Sequence, residues 1–137
     1  MEAARGEAHG GGSDSPLVQL PKLFVDERGS ILNLLLSGCG GVSLIDTRAG
    51  SCRSDHYHKE DWHYLFVVRG QMEYRWRKVG EKKTHHITVH SGEMVYTGPM
   101  VEHSTYFPKD TLMVSMSKFG RDHATHEADL VRVERLA

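Results

Sequence analysis

From Gln71 to Arg77 apolar and polar side chains alternate without a break, Met72, Tyr74 and Trp76 against Gln71, Glu73, Arg75 and Arg77. Successive side chains of an extended strand point to opposite faces, whereas a helix would turn Tyr74 away from Met72. The segment therefore reads as a strand with one buried face, turning at Val79 to Lys83 into a second strand. Similar short apolar and aromatic runs follow one another along the chain: SILNLLL (30–36), GVSLIDTR (41–48), HYLFVVRG (63–70), HHITVH (85–90), EMVYT (93–97), STYF (104–107) and TLMVSMSKF (111–119). Breaks such as SGCGG, RAGS, HSGE, GPM and FPKD separate them, and no stretch sustains a helical period. The pattern predicts an all-β domain, a sandwich or barrel in which stacking or closure protects the strand edges.

At 137 residues the chain has the length of one domain and can bury a core without disulfide or metal staples. Residues 1–16, with their glycines and scattered charge, are expected to form a disordered tail, and residues 17–137 the domain. Met94, Met100, Met113 and Met116 are expected to fill its interior. The segment DHATHEADLVRVERL is expected to add a short strand or a helix outside the barrel, with incidental histidines. Lys and Arg total 17 against 18 Asp and Glu, so the net charge of −1 gives no field that would gather nucleic acid or anionic lipid. The basic residues around Trp76 fall on the alternate face and at the turn, as a solvated hairpin requires. Cys39 and Cys52 follow no metal-site or redox spacing and read as free thiols of a reducing compartment. No run approaches the roughly 20 apolar residues of a membrane span, and MEAARGEAHGGGSDS lacks the apolar segment of a secretory signal. A cytoplasmic protein with a small-molecule ligand is the expectation.

His56, His58 and His63 lie within eight positions. Strand positions two apart share a face, with Cα atoms roughly 6.5 to 7 Å apart, so His56 and His58 can aim at one point. His63 is an odd step further on and needs a bend at Lys59–Asp61 to join them. His103 follows a turn at Gly98 and Pro99 that can return it to the pair. Imidazole nitrogens bind zinc, copper, iron and nickel, and three protein ligands with an open position form the usual catalytic arrangement. With ten histidines in the chain, some clustering as ordinary surface imidazoles is also expected. His9, His85, His86, His90, His123 and His126 have no comparable arrangement.

The spacing resembles that of the cupin superfamily. Gly50, five residues, His56-Tyr57-His58, four residues, His63, six residues and Gly70 reproduce the intervals of its first motif. Gly92, five residues, Gly98-Pro99-Met100, two residues and His103 reproduce those of the second. Two positions depart: His63 stands where cupins carry glutamate, and Gly-Pro-Met replaces Pro-x-Gly. The resemblance, over about residues 22–120, implies a cupin-type β-barrel or jelly roll (double-stranded β-helix). It also implies a divalent metal ion (Zn, Fe, Mn, Ni or Cu) held by His56, His58 and His103, with His63 as fourth ligand or catalytic acid/base, and a homodimer.

The segments VDERGSILNL (25–34) and HYHK (56–59) are similar to cupins that remodel nucleotide-linked deoxysugars: the 3,5-epimerases, the 3,4-ketoisomerases and the cupin domain of capsular polysaccharide reductases. By that similarity Arg28, beside Gly29, holds a nucleotide sugar; as plain sequence, Asp26–Gly29 is a polar turn. Arg53 and Lys59 flank the histidine pair and suit a diphosphate or carboxylate, or are loop charges. Tyr96 and Tyr106 bracket the second motif. They are either core residues or hydroxyl donors to the cavity, Tyr96 in substrate binding and Tyr106 in catalysis with His63. The implied function is isomerisation or epimerisation of a keto sugar, with or without metal. A three-histidine iron dioxygenase and a non-catalytic small-ligand-binding module are the alternatives.

Overall fold

The computed structural model describes residues 15–137. Its strands are β1 (Phe24–Asp26), β2 (Gly29–Ile31), β3 (Gly41–Thr47), β4 (Ser51–His58), β5 (His63–Arg69), β6 (Gln71–Lys78), β7 (His85–His90), β8 (Met94–Thr97), β9 (Val101–Phe107), β10 (Thr111–Ser117) and β11 (Leu130–Arg132). One short helix, α1 (His123–Asp129), precedes the last of them. Two antiparallel sheets carry the domain, in the orders β3-β10-β5-β8 and β11-β4-β9-β6-β7, while β1 and β2 pair only with each other. This is the all-β cupin-type jelly roll that the sequence predicts. Among the described residues no helix is long and apolar enough to cross a membrane.

The alternation at residues 71–77 does what its period requires. Met72 and Tyr74 are completely buried and, with Val67, Val89, Val95, Phe107 and Met113, form the core between the sheets. Inside that core the Tyr74 hydroxyl meets Thr97 Oγ1 at 2.5 Å, which ties the two sheets together. Burial pushes the Tyr74 phenol well above its ordinary range, so it stays a neutral hydrogen-bonding group. The tight turn from β5 to β6 depends on Gly70. Its φ is +106°, and a Cβ there would collide with Asp110 O and with Thr111.

The four-stranded sheet is apolar on its outer face as well. Tyr64, Met94 and Met116 point outward there and pack with Val18, Trp62, Leu34 and Leu35. The chain before β1 runs alongside β8, with Val18 N donating to Met94 O at 2.8 Å and Tyr96 N to Pro16 O at 2.9 Å. Ser15 and Pro16 therefore belong to the domain, and the rest of the expected tail, residues 1–14, lies outside the described residues. Three expectations are corrected. SILNLLL is a strand only to Ile31, because Leu34 and Leu35 turn onto the outer sheet face. Met100 is exposed, whereas Met94, Met113 and Met116 are buried as expected, Met113 between the sheets and the other two in the outer cluster. The C-terminal segment supplies both the helix and a strand, and the strand joins the five-stranded sheet. Cys39 and Cys52 are free and exposed, as read.

Because the buried strand face carries the core, Met72→Ala should lower the unfolding free energy by about 2 to 5 kcal/mol, while Val79→Ala, at the exposed turn of the same hairpin, should change it by less than about 0.5 kcal/mol. Urea titration of the two variants checks this, and equal effects would contradict the assigned strand phase.

Candidate metal centre and its cavity

The site is assembled by an irregularity in β4. Its pairing with β9 shifts register between Ser54 and His56, and Ser54 and Asp55 adopt φ values of 74° and 63°, the left-handed region that non-glycine residues avoid. Beyond this bulge His56 stands opposite His103 on β9, and His58, two residues on, shares its face. The loop at 59–62 then carries the chain from the five-stranded sheet into the four-stranded one, where β5 opens with His63. The odd sequence step to His63 is thus resolved by a change of sheet: His63 faces the same cavity from the opposite wall.

The four rings meet. Ring centroids lie 4.8 Å apart for His56 and His58, 4.7 Å for His56 and His103, and 4.5 Å for His58 and His63. One ring nitrogen from each of His56, His58 and His103 falls within 4.8 Å of the others, and a second grouping joins His58, Asp61 and His63. They border a cavity of about 210 Å³ that Arg53, Thr97, Leu65, Arg121 and His126 also line.

Three of the four rings have a polar neighbour at one nitrogen. His103 Nδ1 donates to Val101 O at 3.0 Å, which leaves Nε2 with a free lone pair. His63 Nε2 lies 3.1 Å from Asp61 Oδ2. The other Asp61 oxygen accepts the amides of Lys118 and Phe119 at 3.1 and 3.2 Å, so the carboxylate cannot swing away. His58 Nδ1 is buried and stands 3.3 Å from Asp129 Oδ2. Burial, reinforced by the neighbouring rings, pushes His56 down to about 2, His58 to about 4 and His103 to about 3. For His103 burial outweighs the carbonyl of Val101, which acts in the opposite direction. Burial raises Asp61, yet the hydrogen bond and charge of His63 hold it below the ordinary carboxylate range. At neutral pH His56, His58 and His103 thus present uncharged imidazoles to the cavity. Three neutral nitrogens that close together suit a divalent ion, since two nitrogens on one tetrahedral ion stand about 3.3 Å apart and small side-chain rotations close the difference.

His56, His58, His63 and His103 are brought together as the sequence reading requires, and Arg53 reaches the same cavity, with Nε donating to Thr47 Oγ1 at 2.8 Å. Three expected residues are not there. Tyr106 is 38% exposed on the outer face of β9, since Thr105 and Phe107 take the inward positions. Tyr96 packs against Tyr64 in the outer cluster, 4.9 Å between rings, and Thr97 lines the cavity instead. Arg28 is exposed in the β1–β2 hairpin, bound to Asp26 in the polar turn and bordering a separate surface recess. The reading missed Asp61, Asp129, Arg121 and His126, whose ring lies 5.6 Å from that of His58. Asp61 carried a signal, a carboxylate two residues before His63; the other three arrive by tertiary placement of the C-terminal segment.

The fold is a cupin-type jelly roll, and histidines at both motif positions face its interior. Residues 24–119 match the polysaccharide biosynthesis C-terminal domain family, and the chain belongs to that family. No curated protein is similar to it in sequence. Among solved structures it is similar to CapF, a capsular polysaccharide assembling protein from Staphylococcus aureus, with a TM-score of 0.63 and 21% identity over 90% of this chain and 33% of that one. The chain thus spans about a third of the length of CapF. It is also similar to QdtA, a sugar 3,4-ketoisomerase from Thermoanaerobacterium thermosaccharolyticum, with a TM-score of 0.63 and 18% identity over 81% of this chain and 82% of that one. ChmJ, a 3′-monoepimerase from Streptomyces bikiniensis, gives a TM-score of 0.70 and 15% identity over 90% of this chain and 79% of that one.

The depressed ring values set a pH dependence. In the folded chain these imidazoles take protons only near pH 2 to 4, against about 6.5 in the unfolded chain, so the unfolded state binds more protons in between. Stability of the metal-free protein should be full above pH 6.5 and fall with acid, by up to about 1.4 kcal/mol per pH unit for each ring. Urea midpoints measured from pH 7.5 to 5 should show this slope, and His103→Asn should make it shallower; an identical slope in the variant would contradict the assignment.

Proposed function

We propose that the cavity binds a divalent metal ion through His56, His58 and His103, and that the protein isomerises or epimerises a keto sugar carried on a nucleotide. The observation that carries this reading is the division of the site: a cluster of three uncharged nitrogens within 4.8 Å, and beside it a separate His63–Asp61 pair opening on the same cavity. Bound there, a divalent ion supplies a Lewis acid for a carbonyl or enediolate oxygen. Proton movement belongs to the chain. Asp61 engages His63 Nε2 and leaves Nδ1 to take a proton from the carbon beside the carbonyl and return it. Arg53 and Arg121, at the cavity wall, offer cations to a diphosphate. The substrate class draws support from the similar structures, since QdtA was crystallised with TDP and ChmJ with dTDP-quinovose. An all-nitrogen ligand set suits zinc, copper, iron or nickel.

Elemental analysis of untagged protein should find about one divalent ion per chain, lost in His103→Ala. Incubated in deuterated water with a nucleotide-linked 4-keto sugar, the protein should place deuterium on the carbon next to the carbonyl. His63→Asn should keep the metal and lower kcat about 10²- to 10⁴-fold. Oxygen consumption with iron and no exchange would move the chain to the dioxygenases, and ligand binding without exchange would make it a binding module.

We also infer that two copies pair through the N-terminal part of the domain. The β1–β2 hairpin has no further strand partner among the described residues and exposes Phe24, Val25 and Ile31 to solvent, although an isolated hairpin is marginal in water. Nearby in sequence, β3 is the edge of its sheet, with Val42 67% and Leu44 71% exposed. A two-fold contact covers both copies' exposed apolar residues with one self-complementary surface. Light scattering should give the mass of a dimer for the native chain and of a monomer for Leu44→Lys; a native monomer would remove the inference.

A further inference from the structure

We propose that the C-terminal segment beyond the family match positions the histidine cluster, with Asp129 fixing the ring of His58 and Arg135 fixing the bulge that aims His56. The proposal rests on the reading of His56, His58 and His103 as metal ligands. The family match ends at residue 119, and the segment that follows folds back onto the strand carrying two of the three rings. Leu130 pairs with His58 and Arg132 with His56, so β11 holds the backbone of both. At His58 this matters most, because the register of β4 with β9 ends at the His56–His103 pair.

Asp129 is buried at the end of α1 and engages the loop between His58 and His63 at three points. Its carbonyl accepts Lys59 N at 3.0 Å, its Oδ1 accepts Glu60 N at 2.8 Å, and its Oδ2 accepts Asp61 N at 3.1 Å. These bonds hold Oδ2 at 3.3 Å from His58 Nδ1. No hydrogen bond of ordinary geometry reaches that nitrogen, which lies in a ring only 2% exposed. A buried polar atom without a partner is costly, and a small ring rotation makes Nδ1–H the donor to Asp129. The carboxylate then selects the tautomer whose Nε2 lone pair is free for an ion, the arrangement in which a carboxylate behind a ligating histidine strengthens it.

Arg135 works on the other ligand. Ser54 and Asp55 hold left-handed conformations that cost energy, and the segment clamps them. Val133 N donates to Asp55 O at 3.0 Å, Arg135 Nη1 to Asp55 Oδ1 at 2.6 Å, and Arg135 Nη2 to Thr105 O at 2.6 Å. One guanidinium thereby ties the residue before His56 to the strand that carries His103. Leu136 N donates to Ser104 Oγ at 3.0 Å with its side chain buried, which anchors the end of the clamp.

The decisive variant is Asp129→Asn. Its amide NH2, turned to Nδ1 with loss of the hydrogen bond from Asp61 N, makes that nitrogen an acceptor and moves the ring proton to Nε2, the ligating atom. Zinc affinity, measured by competition with a chromophoric chelator, should fall about 10- to 100-fold, and the visible spectrum of the cobalt form should change. In metal-free protein, imidazole nitrogen NMR should report His58 as the Nδ1–H tautomer in the native chain and as Nε2–H in the variant. Arg135→Gln should weaken zinc without altering the His58 tautomer, and Asp129→Glu should recover part of the affinity. If Asp129→Asn binds zinc as the native chain does with an unchanged tautomer, the positioning role is overturned. If the native chain binds neither zinc nor cobalt, the metal reading fails instead, and the tautomer comparison still decides what Asp129 does. Should Asp129→Asn fail to fold, Arg135→Gln carries the test: unchanged affinity and an unchanged cobalt spectrum would overturn the role of the clamp.

Discussion

His56, His58 and His103 can share one buried cluster only if they are uncharged. Two protonated rings 4.7 Å apart, as His56 and His103 are, would repel by about 3 to 4 kcal/mol at an effective dielectric constant of 20, before the cost of burying either charge. A neutral imidazole carries one donor and one acceptor, and each buried donor requires a partner. Much of the polar structure around the cavity follows from that requirement. Val101 O serves His103, Asp61 serves His63, and Asp129 stands at the back of His58. The carbonyl and the two carboxylates lie behind the rings, which turns the free lone pairs toward the middle.

The same requirement couples the site to the core. The loop at 59–62 has to cross from one sheet to the other, and its last two residues point opposite ways. Asp61 turns inward to His63 and to the amides of Lys118 and Phe119, while Trp62 turns outward and packs with Tyr64, 5.6 Å between rings. The outer apolar cluster thus holds the loop that holds the inner polar pair. An outward apolar face on the four-stranded sheet is therefore part of how the cavity keeps its shape, in addition to being a surface that the N-terminal segment covers.

Legibility in the sequence followed strand parity. Met72, Tyr74 and Trp76 declared a buried face, and the two-residue spacing of His56 and His58 declared a shared one. The same parity excludes Tyr106: if His103 faces inward, Thr105 and Phe107 do too, and Tyr106 cannot. Tyr96 had no such anchor, because nothing in EMVYT says which face of β8 meets the cavity. Ser54 and Asp55 were illegible for another reason, since neither is a glycine and only the tertiary clamp from Val133 and Arg135 explains their left-handed backbone. His126 and Asp129 sit on a seven-residue helix whose docking depends on the finished sheet, so no local pattern announces them.

The exchange of glutamate for His63 changes more than one ligand. In the cupin pattern a carboxylate at that position can neutralise part of a bound ion's charge directly. Here carboxylates stand behind the rings, Asp61 at 3.1 Å from His63 and Asp129 at 3.3 Å from His58, and burial holds His56, His58 and His103 uncharged. On the proposed reading an ion held by His56, His58 and His103 keeps its full double charge among its immediate ligands, which strengthens its pull on a carbonyl oxygen and raises the cost of burying it. Carboxylates behind the rings offset that cost through polarised imidazoles without occupying a coordination position. They also make the remaining ring at 63 available as a proton carrier, because Asp61 can stabilise the imidazolium that forms when it takes a proton. On the proposed reading His63 and the two carboxylates behind the rings would together separate charge stabilisation from proton transfer within a cavity of about 210 Å³.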